Sequence, residues 1–489
     1  MKAADDKKKR IAPLIGLPAG PLAFLLLLLL PAPAGLTPAA WSVAATLALM
    51  VIWWVTEALP VAATALVPIA VFPLVGVAGI ADTAAPYANP LIFLFLGGFL
   101  IAKAVERWNL HRRIALTILK AVGSTPDLLV GGFMLATAVL SMWLSNTATT
   151  IMMLPIALAV VALLDRGDTG ASDQFALALL LGIAYAASIG GLGTLIGTPP
   201  NALLAAFLSE RYGIAIGFGR WMLFGVPLAG LLLVLAWLLL TRILVSIGHR
   251  AVAGAEDVIA GALRELGPIG REERMVAAVF ATVAALWVLR PLLDGLLPGA
   301  ELSDPGIALL GGLALFAIPA DLKRRRFLLD WDAAKTLPWG VLILFGGGLS
   351  LASAIQASGL AAWIGELLAG FAGWPIFALI LLVTGLVVFL TEVTSNTATA
   401  SVFIPIAATL GAGTAGDPAL YAVPVAIAAS CAFMMPVATP PNAIVYASGR
   451  ITIPQMAKAG LLLNIGCTLI IGAAVYWAAE TLLGIPGAK

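Results

Sequence analysis

Charge is scarce in this chain. Asp, Glu, Lys and Arg make up 11% of its 489 residues, against about 25% in a soluble protein, which excludes an ordinary water-soluble domain. The net charge of +2 offers no basic surface for nucleic acid. Histidine is almost absent: His111 and His249 both lie in polar stretches, and there is no His-Glu-x-x-His and no pair of intramembrane aspartates. An intramembrane enzyme therefore lacks its catalytic groups. Cys431 and Cys467 sit in apolar runs, which argues against a disulfide framework or a zinc site. No segment calls for an organic cofactor. What the chain does have is hydrophobicity, 61% of residues with a mean hydropathy of +1.06. The longest polar stretch, 248–274, is too short for an independent domain.

Apolar runs of about 20 residues, the length that spans hydrocarbon, recur near 13–31, 39–58, 61–79, 88–106, 174–209, 219–245, 274–297, 305–320, 337–357, 418–449 and 455–484. The basic stretch Lys7–Arg10 before the first run resembles a signal peptide, but the run reaches Leu30 and further spans follow, so a retained first helix is expected. Two more segments, 127–164 and 374–412, are each as long as two short helices, with Ser-Asn-Thr in the middle and no loop. If both enter and leave by one face, 23 of the 27 Lys and Arg fall on the cytoplasmic side, including Arg166, and Arg211, Arg220, Arg290 and Lys489 remain outside. Two re-entrant hairpins in an all-α polytopic membrane protein follow, with the N-terminus cytoplasmic and the C-terminus outside a bacterial inner membrane.

The sequence repeats itself. Ser-Asn-Thr-Ala-Thr stands at 145–149 and again at 395–399, an offset of 250. Phe95, Gly97 and Gly98 pair in the same register with Phe345, Gly347 and Gly348, and Pro155 with Pro405. Thr198-Pro199-Pro200-Asn201 recurs as Thr439-Pro440-Pro441-Asn442 at offset 241. Five spans separate the two Ser-Asn-Thr sites, so the copies face opposite ways. Basic residues of the first copy, such as Lys103, Arg112 and Arg113, become Ser353, Ala362 and Trp363 in the second. The chain divides into a tail and first helix (1–38), a first repeat (39–245), a cytoplasmic connection (246–273) and an inverted second repeat (274–489). Inverted repeats of this kind place binding sites at the midplane, where discontinuous helices meet.

Each Thr-Pro lies inside a run longer than one span. Proline breaks the helix there, and threonine as N-cap with proline at the first position starts a half-helix. Gly190, Gly191, Gly193 and Gly197 loosen the break in copy one, where copy two has Pro436 and Ala438. Taken singly, each motif reads as a proline kink or as small polar glue between helices; the repeated pairs argue for a site. Ser145 and Ser395 are placed to cap the second hairpin helices, leaving Asn146, Thr147, Asn396 and Thr397 as donors and acceptors. Four half-helix N-termini aimed at the midplane suit an anion, while hydroxyl, amide and carbonyl oxygens suit a hard cation such as sodium. Ser141 and Thr391 correspond one turn before each tip. Residues 128–164, 174–209 and 418–449 contain no charged side chain and 374–412 contains only Glu392. With no buried arginine to meet a carboxylate, bound cations must balance the substrate, and a dianion calls for at least two. Glu57 reads as interfacial or structural. Glu392 reads equally as tuning the second cation site or as a structural partner. Asn201 and Asn442, beyond the half-helix starts, are expected to matter less.

At these residues the sequence resembles the divalent anion/sodium symporter family of dicarboxylate, citrate and sulfate carriers, over roughly 40–480. The resemblance implies about eleven transmembrane helices, two hairpins, a homodimer and elevator motion of a transport domain against a scaffold. It implies one sodium site from Ser141, Ser145, Asn146 and Gly197, and another from Thr391, Thr394, Asn396 and Ala438. Substrate would meet Ser145, Asn146, Thr147, Thr198, Pro199, Ser395, Asn396, Thr397, Thr439 and Pro440. Thr394 is often smaller in the family; it leaves the site intact if its carbonyl is the ligand and alters it if the hydroxyl intrudes. The expectation is sodium-coupled symport of a di- or tricarboxylate such as succinate, with exchange, or sulfate or citrate carriage on the same fold, as the alternative.

Overall fold

In lipid a spanning chain must satisfy its backbone internally, and the computed structural model meets that demand with helices. It describes residues 2–164, 169–245, 247, 252–296, 299, 301–368, 370, 373–414 and 417–483. Arg166 and Lys489, used above to assign sidedness, lie outside the described residues. Among the described residues nine helices are long and apolar enough to cross a membrane, and shorter apolar ones accompany them.

Helix α1 (Lys2–Leu29) lies on α2 (Pro38–Thr56), where the indoles of Trp41 and Trp53 donate to the carbonyls of Leu27 and Leu17. Glu57 ends α2 as an exposed residue in the left-handed conformation. Short helices α3 (Val61–Thr64), α4 (Val67–Val71) and α5 (Ile80–Ala84) lead to α6 (Pro90–Arg107) and the amphipathic α7 (Leu110–Val122). The first hairpin is α8 (Pro126–Ser141) and α9 (Asn146–Leu164), both packed on α10 (Thr169–Gly191). The chain breaks over 192–198, restarts as α11 (Pro199–Tyr212) and continues through α12 (Phe218–Leu238).

After α13 (Ala255–Glu265) come α14 (Arg271–Leu296) and α15 (Asp304–Ala317), then a two-strand ribbon of β1 (Pro319–Asp321) and β2 (Arg326–Phe327). Helices α16 (Trp331–Ala334), α17 (Trp339–Ala357) and α18 (Leu360–Leu368) precede the second hairpin, α19 (Ile376–Leu390) and α20 (Asn396–Thr414). The second broken helix is α21 (Ala419–Ala428) and α22 (Pro440–Ala447), and α23 (Ile453–Leu483) follows. At 1.5 Å per residue α8 and α19 reach only about 24 and 22 Å, short of a hydrocarbon core of roughly 30 Å. Neither is long enough for a full crossing by itself, while α9, the other arm of the first hairpin, is among the nine that are.

The repeat is visible in the packing. Phe95 and Phe345, equivalent by sequence, meet edge to face with centroids 4.9 Å apart. Their neighbours Gly97 and Gly347 let backbones touch in the same way: a Cβ on Gly97 would lie 2.4 Å from the backbone of Ala308, and one on Gly347 would lie 2.2 Å from the carbonyl of Ala65. Thus α6 nests on α15 as α17 nests on α3 and α4. The polar connection holds α13 against α7 and α9, with Arg113 paired to Glu273 and Val252 N–H donating to Ser124 O at 2.9 Å.

Candidate binding site

Each hairpin tip meets the broken helix of its own copy through the same three groups. The Ser141 hydroxyl lies 2.6 Å from both Asn146 Oδ1 and the carbonyl of Ala187. The Thr391 hydroxyl lies 2.8 Å from Asn396 Oδ1 and 2.9 Å from the carbonyl of Ala429. A hydroxyl carries one hydrogen, so it satisfies one of its two acceptors at a time. Three oxygens thus crowd together at each tip with a single proton among them, an arrangement that a small hard cation relieves. Among the described residues no group of His, Cys, Asp or Glu is placed to hold a metal; the candidate ligands are neutral oxygens.

The glycines explain how the first break closes on its tip. A Cβ on Gly191 would sit 2.9 Å from Gly197 O and 3.2 Å from Asn146 Oδ1, and one on Gly197 would sit 2.5 Å from Gly191 O. Only glycine allows this contact, which brings the Gly197 carbonyl beside Asn146. Ala432 and Ala438 occupy the corresponding places in copy two.

The capping expectations hold in part. Ser145 Oγ accepts from Ala148 N at 3.1 Å and caps α9. Ser395 makes no matching bond; the neighbouring Thr394 hydroxyl bonds Leu390 O at 2.9 Å and Thr399 Oγ1 at 2.6 Å instead. That hydroxyl is turned back into the hairpin, which leaves the Thr394 carbonyl as its candidate ligand. Thr439 Oγ1 accepts from Asn442 N at 3.3 Å. Thr198 does not cap its helix: its hydroxyl pairs at 3.0 Å with Ser430 Oγ. The reason is proximity, because Ser430 ends the turn that follows α21 and links the two broken helices at their breaks. Pro199 and Pro440 both stand at the first helical position as expected. Thr397 is buried and Asn146, Thr147 and Asn396 are half-buried, while Ser145 and Pro440 are exposed.

Two residues do more than sequence suggests. Asn201 Nδ2 donates to the carbonyls of Gly191, Leu192 and Thr194, the last at 2.8 Å. Asn442 Nδ2 repeats this with Ala432 and Met435, at 3.2 and 3.0 Å. Both asparagines bracket the break that precedes them. The Glu392 carboxylate accepts from the N–H groups of Phe433, Met434 and Met435 and from Asn464 Nδ2, so it pairs with the second break. The Ala187 and Ala429 carbonyls and Ser430 were not foreseen; the recurrence of Ala-Ser at 187–188 and 429–430, next to each break, is the signal that marks them.

Paired hairpins and paired broken helices, joined through neutral oxygens in segments almost free of charge, define a secondary transporter rather than an enzyme. The chain belongs to the sodium:sulfate symporter transmembrane region family, which its residues 14–483 match. It is similar to the sodium-dependent dicarboxylate transporter SdcS of Staphylococcus saprophyticus, 44% identical over 488 residues, covering 98% of this chain and 94% of that one. The SdcS of Staphylococcus aureus (strain USA300) is 43% identical over 492 residues, covering 99% and 95%. Among solved structures, the YdaH transporter of Alcanivorax borkumensis superposes with a TM-score of 0.54 at 14% identity, covering 82% of this chain and 87% of that one. MtrF of Neisseria gonorrhoeae gives 0.51 at 14%, covering 81% and 83%. These two likenesses concern the fold alone.

Proposed function

We propose that this protein is a sodium-coupled symporter of C4-dicarboxylates such as succinate, working as a homodimer in a bacterial inner membrane. The observation that carries the reading is the duplicated hydroxyl–amide–carbonyl cluster, Ser141–Asn146–Ala187 and Thr391–Asn396–Ala429, in segments without lysine or arginine. One sodium ion is held by Ser141, Ser145, Asn146 and Gly197, and a second by Thr391, Asn396 and the carbonyls of Thr394 and Ala438. The substrate carboxylates lie between the tips, against Ser145, Asn146, Thr147, Ser395, Asn396 and Thr397 and the helix starts at Thr198-Pro199 and Thr439-Pro440. Because no fixed cation faces the dianion, sodium must arrive for it to bind, and binding energy becomes coupling. The similarity to sodium-dependent dicarboxylate transporters supports the choice of anion.

Unequal packing of equivalent helices supports elevator motion. Helices α11 and α20 lie against each other and α21, as their counterparts α22 and α9 lie against each other and α10, but α11 and α20 also lie against α6, α17 and α18, where the other pair meets only α13 to a like degree. A transport unit of hairpins and broken helices displaced toward the cytoplasm relative to a scaffold produces this asymmetry. The N-terminus is cytoplasmic and the C-terminus outside, by the distribution of basic residues.

Uptake of labelled succinate into proteoliposomes tests the reading, with sodium replaced by choline and with unlabelled citrate, malate, fumarate and sulfate as competitors. Steep dependence on sodium and competition by C4-dicarboxylates are expected. Undiminished uptake in choline, without a proton gradient, would replace symport by exchange.

A further inference from the structure

We infer that the basic turn Lys323–Arg326 is a docking site for anionic phospholipid headgroups of the cytoplasmic leaflet, and that the bound headgroups fix the depth of the helices that carry it. The inference rests on the sidedness assigned from the basic residues, not on the choice of transported ion.

Four consecutive cations form the tip of the two-strand ribbon that follows α15, with one acid, Asp321, beside them. The tip is well formed. Asp321 lies opposite Arg326 in the register of the ribbon, and its Oδ1 accepts from the N–H groups of Lys323 and Arg324 at 2.9 and 3.2 Å. Arg325 N donates to Leu322 O at 3.3 Å, and Arg325 takes the left-handed conformation that reverses the chain. The base of the ribbon is bonded to the ends of α15 and α6. Leu328 N donates to Ile318 O and Leu329 N to Leu315 O, each at 3.0 Å, and Trp108 Nε1 donates to Leu328 O at 2.8 Å. The four cations are thus carried on a fixed mount.

Residues 322–326 are all exposed. The nearby acids are already engaged: Asp330 binds Arg107 at 2.6 Å, Asp332 binds Lys335 at 2.8 Å, and Asp321 reaches only Arg324, at 3.7 Å. Lys323, Arg325 and Arg326 make no ion pair among the described residues. A turn that faces only water needs no apolar side chain at its rim, yet Leu322 is 74% exposed and Trp331 is 60% exposed. The Trp331 ring neighbours those of Phe316, near the end of α15, and Trp339, at the start of α17, with centroids 6.2 and 6.3 Å away. Aromatic rings gather at the headgroup level of a bilayer. Leu310 and Leu313, further back along α15, are exposed where hydrocarbon covers them. The cations therefore stand at the depth of lipid phosphates, and each basic residue beside an anionic leaflet adds to the attraction. A soluble anion would leave Leu322 and Trp331 uncovered, which favours a lipid as the occupant.

The test follows the melting temperature of purified full-length protein in phosphatidylcholine nanodiscs as phosphatidylglycerol replaces part of the lipid. Potassium is the only alkali cation present, so that sodium binding stays out of the comparison. Phosphatidylglycerol should stabilise wild type, as any ligand of the folded state does. About 1 M potassium chloride, where the screening length falls to about 3 Å, should remove most of that gain. The variant carrying Lys323→Gln, Arg324→Gln, Arg325→Gln and Arg326→Gln should melt like wild type in phosphatidylcholine and lose most of the gain from phosphatidylglycerol. If that variant does not fold, the pair Lys323→Gln and Arg326→Gln, which spares the Asp321–Arg324 contact, should show a smaller loss of the same kind. A gain as large in the Gln variants as in wild type, or no gain in wild type, overturns the inference. So does equal stabilisation by soluble glycerol phosphate, which would assign the turn to a free anion.

Discussion

The Thr391 hydroxyl donates toward Asn396 Oδ1 across 2.8 Å, from one helical turn before the hairpin tip to the first residue after it. Ser141 and Asn146 make the same bond at 2.6 Å in the other copy. The amide oxygen is thereby aimed into the oxygen cluster, and the amide NH₂, bonded to the same carbon, points away from it. One side chain can then coordinate sodium and donate to a substrate carboxylate. Losing a hydrogen bond to a charged partner costs about 1.5–3 kcal/mol, or roughly 10- to 150-fold in affinity. Asn146→Ala and Asn396→Ala should each weaken sodium and succinate binding together, because coupling between sites is reciprocal. Equilibrium binding of succinate at several sodium concentrations checks this; both affinities staying within about twofold of wild type would exclude these asparagines from the site.

Asn201 and Asn442 should behave differently. Their amide NH₂ groups hold backbone carbonyls across the breaks, and both side chains are fully buried. Alanine at either position leaves buried carbonyls without donors, at a cost on the order of 1–3 kcal/mol. The expected result is a lower melting temperature for the purified protein, partly recovered by saturating sodium and succinate, which bind only the closed break. A variant as stable as wild type would mean that the break holds itself.

Much of this was legible because polar residues in an apolar chain stand out. Ser-Asn-Thr and Thr-Pro-Pro-Asn mark the tips and breaks by composition alone, and their shared offsets give the repeat that Phe95 and Phe345 embody. The rest was hidden by the kind of partner involved. Glu392 meets mainly backbone N–H groups, which leave no mark on residue type. The Thr198–Ser430 bond joins residues 232 apart in the chain, so a local capping rule gives the wrong partner for Thr198. At the second tip the sequence pattern points to Ser395 as the cap, but the hydroxyl that bonds within the hairpin is that of Thr394.

Inverted orientation predicts that the two hairpins are approached from opposite faces. Lys120, just before the first hairpin, and Gly373, just before the second, are both exposed. Single substitutions Lys120→Cys and Gly373→Cys, in a background lacking the buried Cys431 and Cys467, should react with an impermeant maleimide from the cytoplasmic and outer faces respectively. Labelling of both from one face would break the inverted assignment.

Acid should loosen the elbow between α6 and α7. Burial holds the His111 imidazole below its usual value, and its ring Nδ1 lies 3.2 Å from Val105 O. The unfolded chain therefore binds the proton more readily than the folded one, and stability falls as pH drops below about 6.5 and through the lower folded value. Melting temperature should decline between pH 7 and pH 5, and less steeply in His111→Gln. Equal slopes for the two proteins would show that His111 stays uncharged throughout or is unimportant to the elbow.

Elevator motion makes a stronger demand on the outer end of α11. There Asn89, the N-cap of α6, donates to Glu210 Oε2 at 3.1 Å, and Gln356 on α17 donates to the Tyr212 hydroxyl at 3.3 Å. Both contacts join the proposed moving unit to the proposed scaffold, and both must part if α11 slides. Among the described residues α22 packs chiefly on α9 and α10, so its end lacks a comparable packing against the scaffold. Covalently joining Asn89→Cys to Glu210→Cys, again without Cys431 and Cys467, should trap the packing described here. Uptake is expected to fall to background on cross-linking and to return on reduction, while each single substitution keeps its activity. Succinate binding should survive the cross-link, because the hairpin tips and breaks are untouched by it. Full uptake with the pair quantitatively joined would mean that α11 and α6 travel together, and the boundary between transport unit and scaffold would have to be redrawn.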